Sequence, residues 1–266
     1  MTETVRDVVG DRLIAEFTAT LGSWLFAVPD EAAPLGLHWC LAPRLEPTEQ
    51  LGPDGHPPRH QTVSAEDFPR RMWVGGALIF MAPLRRGQLV TRMTDLGPLV
   101  MKNDGAWCLS TADHRFEADG NPLISERQDI AFRRPAAPRT ATVRTEKLPL
   151  PQADLSWEVE TSPTLLFRYS ALTFNGHRIH YDHPYATQVE GYAGLIVHGP
   201  LQATILLNLA ATLLGRPPRS FAYRATAPLI AGLPLRALEI RTGDRVALSV
   251  HGPDGKITMT AQADAD

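Results

Sequence analysis

The chain is short of cysteine: Cys40 and Cys108 are the only two in 266 residues. They lie far apart and form neither a CxxC pair nor a disulfide framework. That excludes a secreted disulfide scaffold and makes a reduced, cytoplasmic setting the expectation. Long apolar runs are missing as well. No stretch approaches the roughly 18 apolar residues of a membrane span, and MTETVRDVVGDRLIAEF opens with acids where a signal peptide has a basic n-region. Lysine is scarce, three against 23 arginines, and 26 basic against 29 acidic side chains leave a formal charge of −3. Without a basic block there is no electrostatic footprint for duplex nucleic acid. Neither a nucleic-acid nor a membrane partner is expected.

Glycine and proline, by contrast, are abundant, with 20 and 23 residues, so turns should be frequent and helices few. The 44% of hydrophobic residues is enough for one large domain or two modest ones. Asp7 to Thr20 carries Val8, Leu13, Ile14 and Phe17 at helical spacing and predicts a short amphipathic helix. A turn-rich stretch follows, with a brief apolar run from Leu35 to Leu41 and the loop LGPDGHPPRH from Leu51 to His60. GGALIFMAP, QLVTRMTDL, AWCLSTADHRF and PLISERQDIAF then predict an antiparallel meander, punctuated by turns such as Asn103-Asp104-Gly105.

The proline-rich stretch 133–153 predicts a linker. Beyond it, SWEVET is a candidate strand, and Ser162-Pro163 is an N-cap and first-turn pair opening a helix that Gly176 should end. Pro200 to Leu214 is apolar on nearly every side, so a helix there must be buried all round. RSFAYRATAP, LPLRALEIR, RVALSVHG and KITMTAQA follow as strands, with Arg241-Thr242-Gly243-Asp244 as one of the turns. A long apolar helix followed by antiparallel strands is the sequence form of a hotdog fold, and the first half repeats the order with Leu35 to Leu41 where the helix belongs. The expectation is α+β, a double hotdog with two antiparallel sheets, each wrapped around a central helix. Residues 1–132 form a first unit with a shortened helix, and residues 154–266 form a second unit carrying the site.

Chemistry is concentrated in FRYSALTFNGHRIHYDHPYATQVEGYAGLIVHGPLQATIL, where His177, His180, His183 and His198 fall close together. Histidine titrates near neutral pH, so a buried one can move a proton in either direction. The isolated His38, His56, His60, His114 and His251 are expected to be ordinary core or surface residues. His177, His180 and His183 spell HxxHxxH, a metal-ligand spacing on a helix. Gly176 and Pro184 bracket the segment against a regular helix, however, and the expectation is no metal and no other cofactor.

The same run resembles the MaoC-like hydratases and dehydratases, in the branch that includes mesaconyl-C4-CoA hydratase and the mitochondrial 3-hydroxyacyl-thioester dehydratase. FPRRMWVGGALIFMAPLRRGQLV and LGPDGHPPR in the first half resemble the same branch. The resemblance implies a hydro-lyase that adds water to an α,β-unsaturated acyl-CoA or carrier-bound acyl group. In the wider family an Asp and a His of one short motif hold and activate the water. Matching that His to His180 puts Asn175 where the Asp stands, so the carboxylate is absent. The narrower branch is similar to this sequence in having NxHRIHYD, and an amide cannot take a proton. The resemblance therefore implies His180 as general base, Asn175 orienting the water, and His177 and His198 as further acid/base or orienting groups.

In the His198-Gly199-Pro200 segment, the Gly199 N–H at a helix N-terminus can polarise a thioester oxygen, although Gly199 and Pro200 would also suit an ordinary helix start. Arg70, Arg71 and Arg178 are candidates for phosphates of the substrate arm, though a single arginine is more often a solvated surface group. Tyr169, Phe167 and Tyr185 are candidates for the acyl pocket or plain core, and Trp73 for packing. Cys40 and Cys108 should be buried small apolar residues. Two other readings keep the fold: a tailoring enzyme acting on a polyketide-like intermediate, and a non-catalytic acyl-binding or heteromeric partner subunit. Hotdog sheets also commonly pair, so a homodimer is a further expectation.

Overall fold

The structure, a computed structural model, describes residues 2–58, 67–134, 148–242 and 245–264. Of the expected linker, residues 135–147 lie outside the described residues, as do His60 and the Gly243-Asp244 portion of the expected turn. Strand β1 (Glu3–Val8) and helix α1 (Asp11–Leu21) come first, then a single 3-10 turn at Leu37–Cys40. Strands β2 (Arg70–Phe80), β3 (Leu89–Leu96), β4 (Val100–Lys102), β5 (Trp107–Ala118) and β6 (Asn121–Arg133) complete the first half. The second half holds β7 (Ser156–Val159), helices α2 (Pro163–Leu172) and α3 (Gly199–Leu214), and β8 (Ser220–Ala225), β9 (Leu235–Thr242), β10 (Arg245–His251) and β11 (Ile257–Asp264).

The strand and helix types follow the sequence reading, with three differences. The helix expected from Asp7 begins only at Asp11, because Asp7 and Val8 end β1, whose residues pair antiparallel with β3 from Glu3↔Thr94 to Val8↔Leu89. Tertiary pairing outweighs the helical spacing there. β2 starts at Arg70, upstream of the apolar GGALIF core of the strand. The expected two sheets are also joined into one: the described strands form a single 11-stranded sheet in the order β1-β3-β5-β6-β2-β8-β11-β10-β9-β7, with β4 on β5.

The junction is the antiparallel pair β2–β8, with Gly75↔Arg224 and Gly76↔Tyr223 in register. A bulge falls between Trp73 and Gly75, and a Cβ on Gly76 would collide with the Tyr223 hydroxyl and the Arg127 carbonyl. Glycine thus permits the two halves to approach along their inner strands.

α3 is buried from Leu201 through Ala211. Strands β8 to β11 cover one side of it. A loop of the first half covers another, where Asn208 donates to the Leu35 carbonyl (3.0 Å) and accepts from the Phe26 N–H (3.0 Å). Two covering layers explain a helix with no polar stripe. Among the described residues no helix is long and apolar enough to cross a membrane. Cys40 and Cys108 are both buried and in no disulfide, and burial pushes the Cys40 thiol up to about 12, consistent with an inert packing residue there.

Candidate active site

Three segments, two of them neighbours in sequence and the third from the first half, converge beside the N-terminus of α3. The first follows α2, which starts where expected: Ser162 Oγ accepts from the Leu165 N–H at 3.2 Å, with Pro163 in the first turn. The helix stops at Leu172, and the chain reverses through Phe174 at φ 49°. Asn175 Oδ1 then accepts from the His177 N–H at 3.0 Å, an Asx turn that feeds a 3-10 turn over Arg178–His180. The Asn175 oxygen is thereby engaged with the backbone, which leaves the Nδ2 end of the side chain expected to orient the water.

His180 is buried, and its Nδ1 lies 2.7 Å from the Ile196 carbonyl oxygen. A carbonyl only accepts, so the proton sits on Nδ1 and the lone pair on Nε2. Burial lowers the His180 pKa to about 4 despite that hydrogen bond, leaving a neutral imidazole with a defined basic nitrogen at pH 7.

His198, on the second segment, immediately precedes α3. Its ring stacks on that of His180 with centroids 3.6 Å apart and planes at 19°. Its Nε2 is 2.8 Å from Ser170 Oγ on α2, while its Nδ1 is buried without a protein partner. Burial, then the neighbouring His180, holds its pKa well below the ordinary value. Gly199 follows as the first residue of α3, where N–H groups have no acceptor inside the helix. A Cβ there would stand 2.6 Å from Trp73 Cε3, so Trp73 packs against this backbone and excludes any side chain.

His177 is buried, with its ring 5.4 Å from that of His180 and its Nε2 lacking a partner. Its other neighbour is His56, at 4.3 Å between centroids, on the third segment. The turn 52–56 of the first half presses backbone to backbone on this loop: a Cβ on Gly55, at φ +85°, would collide with the Gly176 carbonyl. The Asp54 carbonyl also accepts from the Arg178 N–H at 2.9 Å. Asp54 Oδ1 accepts from the His56 N–H at 3.0 Å, and Oδ2 lies 3.3 Å from His56 Nδ1. Burial alone would raise the Asp54 pKa, but the His56 hydrogen bonds and charge outweigh it and hold the carboxyl below the usual range. His177 is kept neutral by burial first and then by His56 and His180.

Other expected contributors have different work. Arg178 places Nη2 2.7 Å and Nε 3.0 Å from Asp182 Oδ2, Nη1 donates to the Pro53 carbonyl at 3.0 Å, and its guanidinium lies 4.2 Å from the Tyr185 ring centroid. It clasps two loops together and is not held out for a phosphate. Arg70 is likewise taken up by Glu190, donating to its carbonyl at 2.7 Å and facing its carboxylate at 3.3 Å. Arg71 is near enough to His177 to lower its pKa. Tyr169 is fully buried, its hydroxyl 3.2 Å from Thr204 Oγ1 and its ring edge-on to His198. Tyr185 is buried and Phe167 exposed.

His183 is exposed on the surface, so the HxxHxxH triplet does not act as a unit. Asp54, His56 and His177 do each have one potential ligand atom within 4.8 Å of the others'. Both Asp54 oxygens, however, already face His56, so the group is a hydrogen-bonded pair beside the His177 imidazole. His56, expected as an ordinary core or surface residue, lies against His177 together with Asp54, a pair that the sequence reading does not single out. The only local signal for them was the Gly-Pro-Asp-Gly-His turn.

The sequence profile of a family described as hydroxyacyl-thioester dehydratase type 2 matches residues 36–231. The mesaconyl-C(4)-CoA hydratase of Chloroflexus aurantiacus is 40% identical over 234 residues, 87% of this chain and 83% of that protein. The mitochondrial hydroxyacyl-thioester dehydratase type 2 of Schizosaccharomyces pombe is 26% identical over 239 residues, 79% of this chain and 78% of that one. Among solved structures, HtdX of Mycobacterium tuberculosis superposes with a TM-score of 0.72 at 14% identity, both chains covered in full. A second M. tuberculosis protein, described as having a double hotdog fold, gives 0.57 at 14% identity over 99% of this chain and 94% of that one. The structural likenesses establish a hotdog-type fold.

Proposed function

The chain belongs to the hydroxyacyl-thioester dehydratase type 2 family and is a hydro-lyase of acyl thioesters, and we propose that His180 is the general base of its reaction. The observation that carries this is the Nδ1–H bond to the Ile196 carbonyl, which leaves Nε2 as the basic nitrogen of a buried, neutral imidazole. In the hydration direction Nε2 takes a proton from water as the water oxygen bonds to Cβ. The π pair of the Cα=Cβ bond moves toward the thioester, whose oxygen gains enolate character. The Gly199 N–H at the start of α3 is suited to receive that oxygen, a type of interaction worth on the order of 3 kcal/mol. Cα then takes up a proton, and the steps reverse for dehydration.

Asn175 serves in this scheme through both ends of its amide. Its oxygen fixes the backbone of His177, and its Nδ2 is the end suited to orient the water. His198, stacked on His180 and anchored to Ser170, holds the base in place. The mesaconyl-C(4)-CoA hydratase relative makes a dicarboxylic enoyl-CoA the first substrate to try.

We read the architecture as two hotdog units, residues 1–132 and 154–266, with α3 as the central helix of the second and the turn Leu37–Cys40 in its place in the first. Hydration of mesaconyl-C4-CoA by wild type and His180→Ala tests the mechanism. Wild-type turnover that survives this substitution would sink the assignment.

A further inference from the structure

Hydration takes one proton from water and delivers one to Cα, and the roles above account only for the first transfer. The inference below rests on the hydratase reading. Four imidazoles stand in a row from His56 through His177 and His180 to His198, each ring in contact with the next. His180 and His56 are anchored alike, each with Nδ1 directed at an oxygen, but the oxygens differ in charge. Ile196 presents a neutral carbonyl to His180, whereas Asp54 presents a carboxylate to His56. A carboxylate stabilises an imidazolium, and a neutral carbonyl does so far less. One imidazole set against a carboxylate and another set against a neutral carbonyl are the arrangement that divides an acid from a base.

We infer that His56, carried into the site by the first-half turn 52–56, is the proton donor to Cα, and that Asp54 is the positioning residue that keeps the proton on it. In hydration the bond from the water oxygen to Cβ forms while one water proton goes to His180 Nε2. The π pair becomes the enolate, and the proton on His56 Nε2 moves to Cα to form the new C–H bond. His180 then releases its proton to solvent and His56 takes one back, so the net change is one water added. Partial exposure of the His56 side chain, 18%, suits it to take a proton back from solvent. Among the described residues, the groups facing His56 include Asp54 on its own turn and His177 across the loop interface, with His180 and Arg71 next to His177.

The test is the pH dependence of kcat for mesaconyl-C4-CoA hydration by wild type, Asp54→Asn and His56→Gln, with thermal melting to verify folding. Wild type should lose activity on the alkaline side as His56 deprotonates. Asp54→Asn keeps an acceptor for the His56 N–H but removes the charge, and should move that limb down by about one pH unit or more. His56→Gln should lower kcat by about 100-fold or more and abolish the alkaline limb, leaving the acid limb in place. A folded Asp54→Asn protein with an unmoved limb overturns the inference, as does a His56→Gln protein that keeps the limb. If Asp54→Asn does not fold, the His56→Gln limb alone decides. Stoichiometric zinc in the wild type, with activity lost on chelation, also overturns it. Absence of wild-type turnover on every enoyl thioester removes the hydratase reading itself, whereas turnover with unmoved profiles removes only the Asp54–His56 pair.

Discussion

In the first half of the molecule, the place before the main strands is taken by the four residues Leu37–Cys40, which manage one 3-10 turn. In the second half the 16 residues of α3 stand there. Each half also buries titratable groups. Those around the short turn of the first half serve the core: Glu126 Oε1 accepts from Trp39 Nε1 at 2.7 Å, from Gln128 Nε2 at 2.9 Å and from the Tyr223 hydroxyl at 3.4 Å. His38, on the short turn, is edge-on to Phe80 and Phe116 and is neutralised by burial and by His114, with its pKa lowered to about 3. Those of the second half are strung along the N-terminus of a long helix, whose unpaired N–H groups add a site for developing negative charge. A full helix thus supplies a polar end inside the fold, and a single turn does not.

The largest expected effect tests this asymmetry directly. His180→Ala should lower kcat for hydration by about 10²- to 10⁴-fold, while His38→Gln, the matching buried histidine of the first half, should leave kcat within a few-fold. A His38 variant as damaged as the His180 variant, both still folded, would break the comparison. Next in size is packing. Leu206→Ala, at 0% exposure on α3, should cost about 2–5 kcal/mol by urea denaturation. The cavity it leaves has covering layers on two sides that cannot both collapse.

The joint between halves gives a third measurement. Gly55→Ala forces a Cβ onto the Gly176 carbonyl at a positive φ, so kcat/KM should fall together with the melting temperature, although the substitution lies in the half without the base. A variant with full activity would separate the turn 52–56 from the site.

Acidification distinguishes stability from catalysis. His38, His114 and His180 have folded pKa values of about 3, 4 and 4 against 6.5 when unperturbed. The unfolded chain therefore binds more protons in this window, and both halves should lose stability as pH falls from about 6.5 toward 4. Activity below neutrality should follow His180 alone, with its acid limb near pH 4 in any range where melting shows the protein still folded. His38→Gln should make the melting temperature less acid-sensitive without moving that limb. The smallest effect belongs to the exposed Arg12–Glu16 pair on α1. Its removal by Arg12→Ala should change stability by no more than about 0.5 kcal/mol, measured by the same urea titration.

The patterns that could be read from the sequence are those written in neighbouring residues. Ser162-Pro163 marks a helix start because the capping oxygen and the N–H it accepts from are three residues apart. Pro200 to Leu214 is apolar all round because two layers cover it. The segment from Asn175 to His180 carries its own turn chemistry, so the turn that holds the proposed base can be read from neighbouring residues. Asp7 and Val8 were misread because a strand partner 80-odd residues away outweighs a helical spacing. Arg70 and Arg178 looked free because Glu190, Asp182 and the Pro53 carbonyl give no sequence sign of facing them.

Sequence alone determined the family, the strand and helix types, and the histidine-rich loop, since local hydrogen bonds and side-chain periodicity depend on residues a few positions apart. Tertiary structure decided that the two halves share one sheet through β2 and β8, and that a carboxylate and a fourth imidazole from the first half reach the site. The physical reason is that a glycine-to-glycine backbone contact, Gly55 on Gly176, brings Asp54 within reach of His177 across more than a hundred residues. No spacing in the chain encodes such a contact.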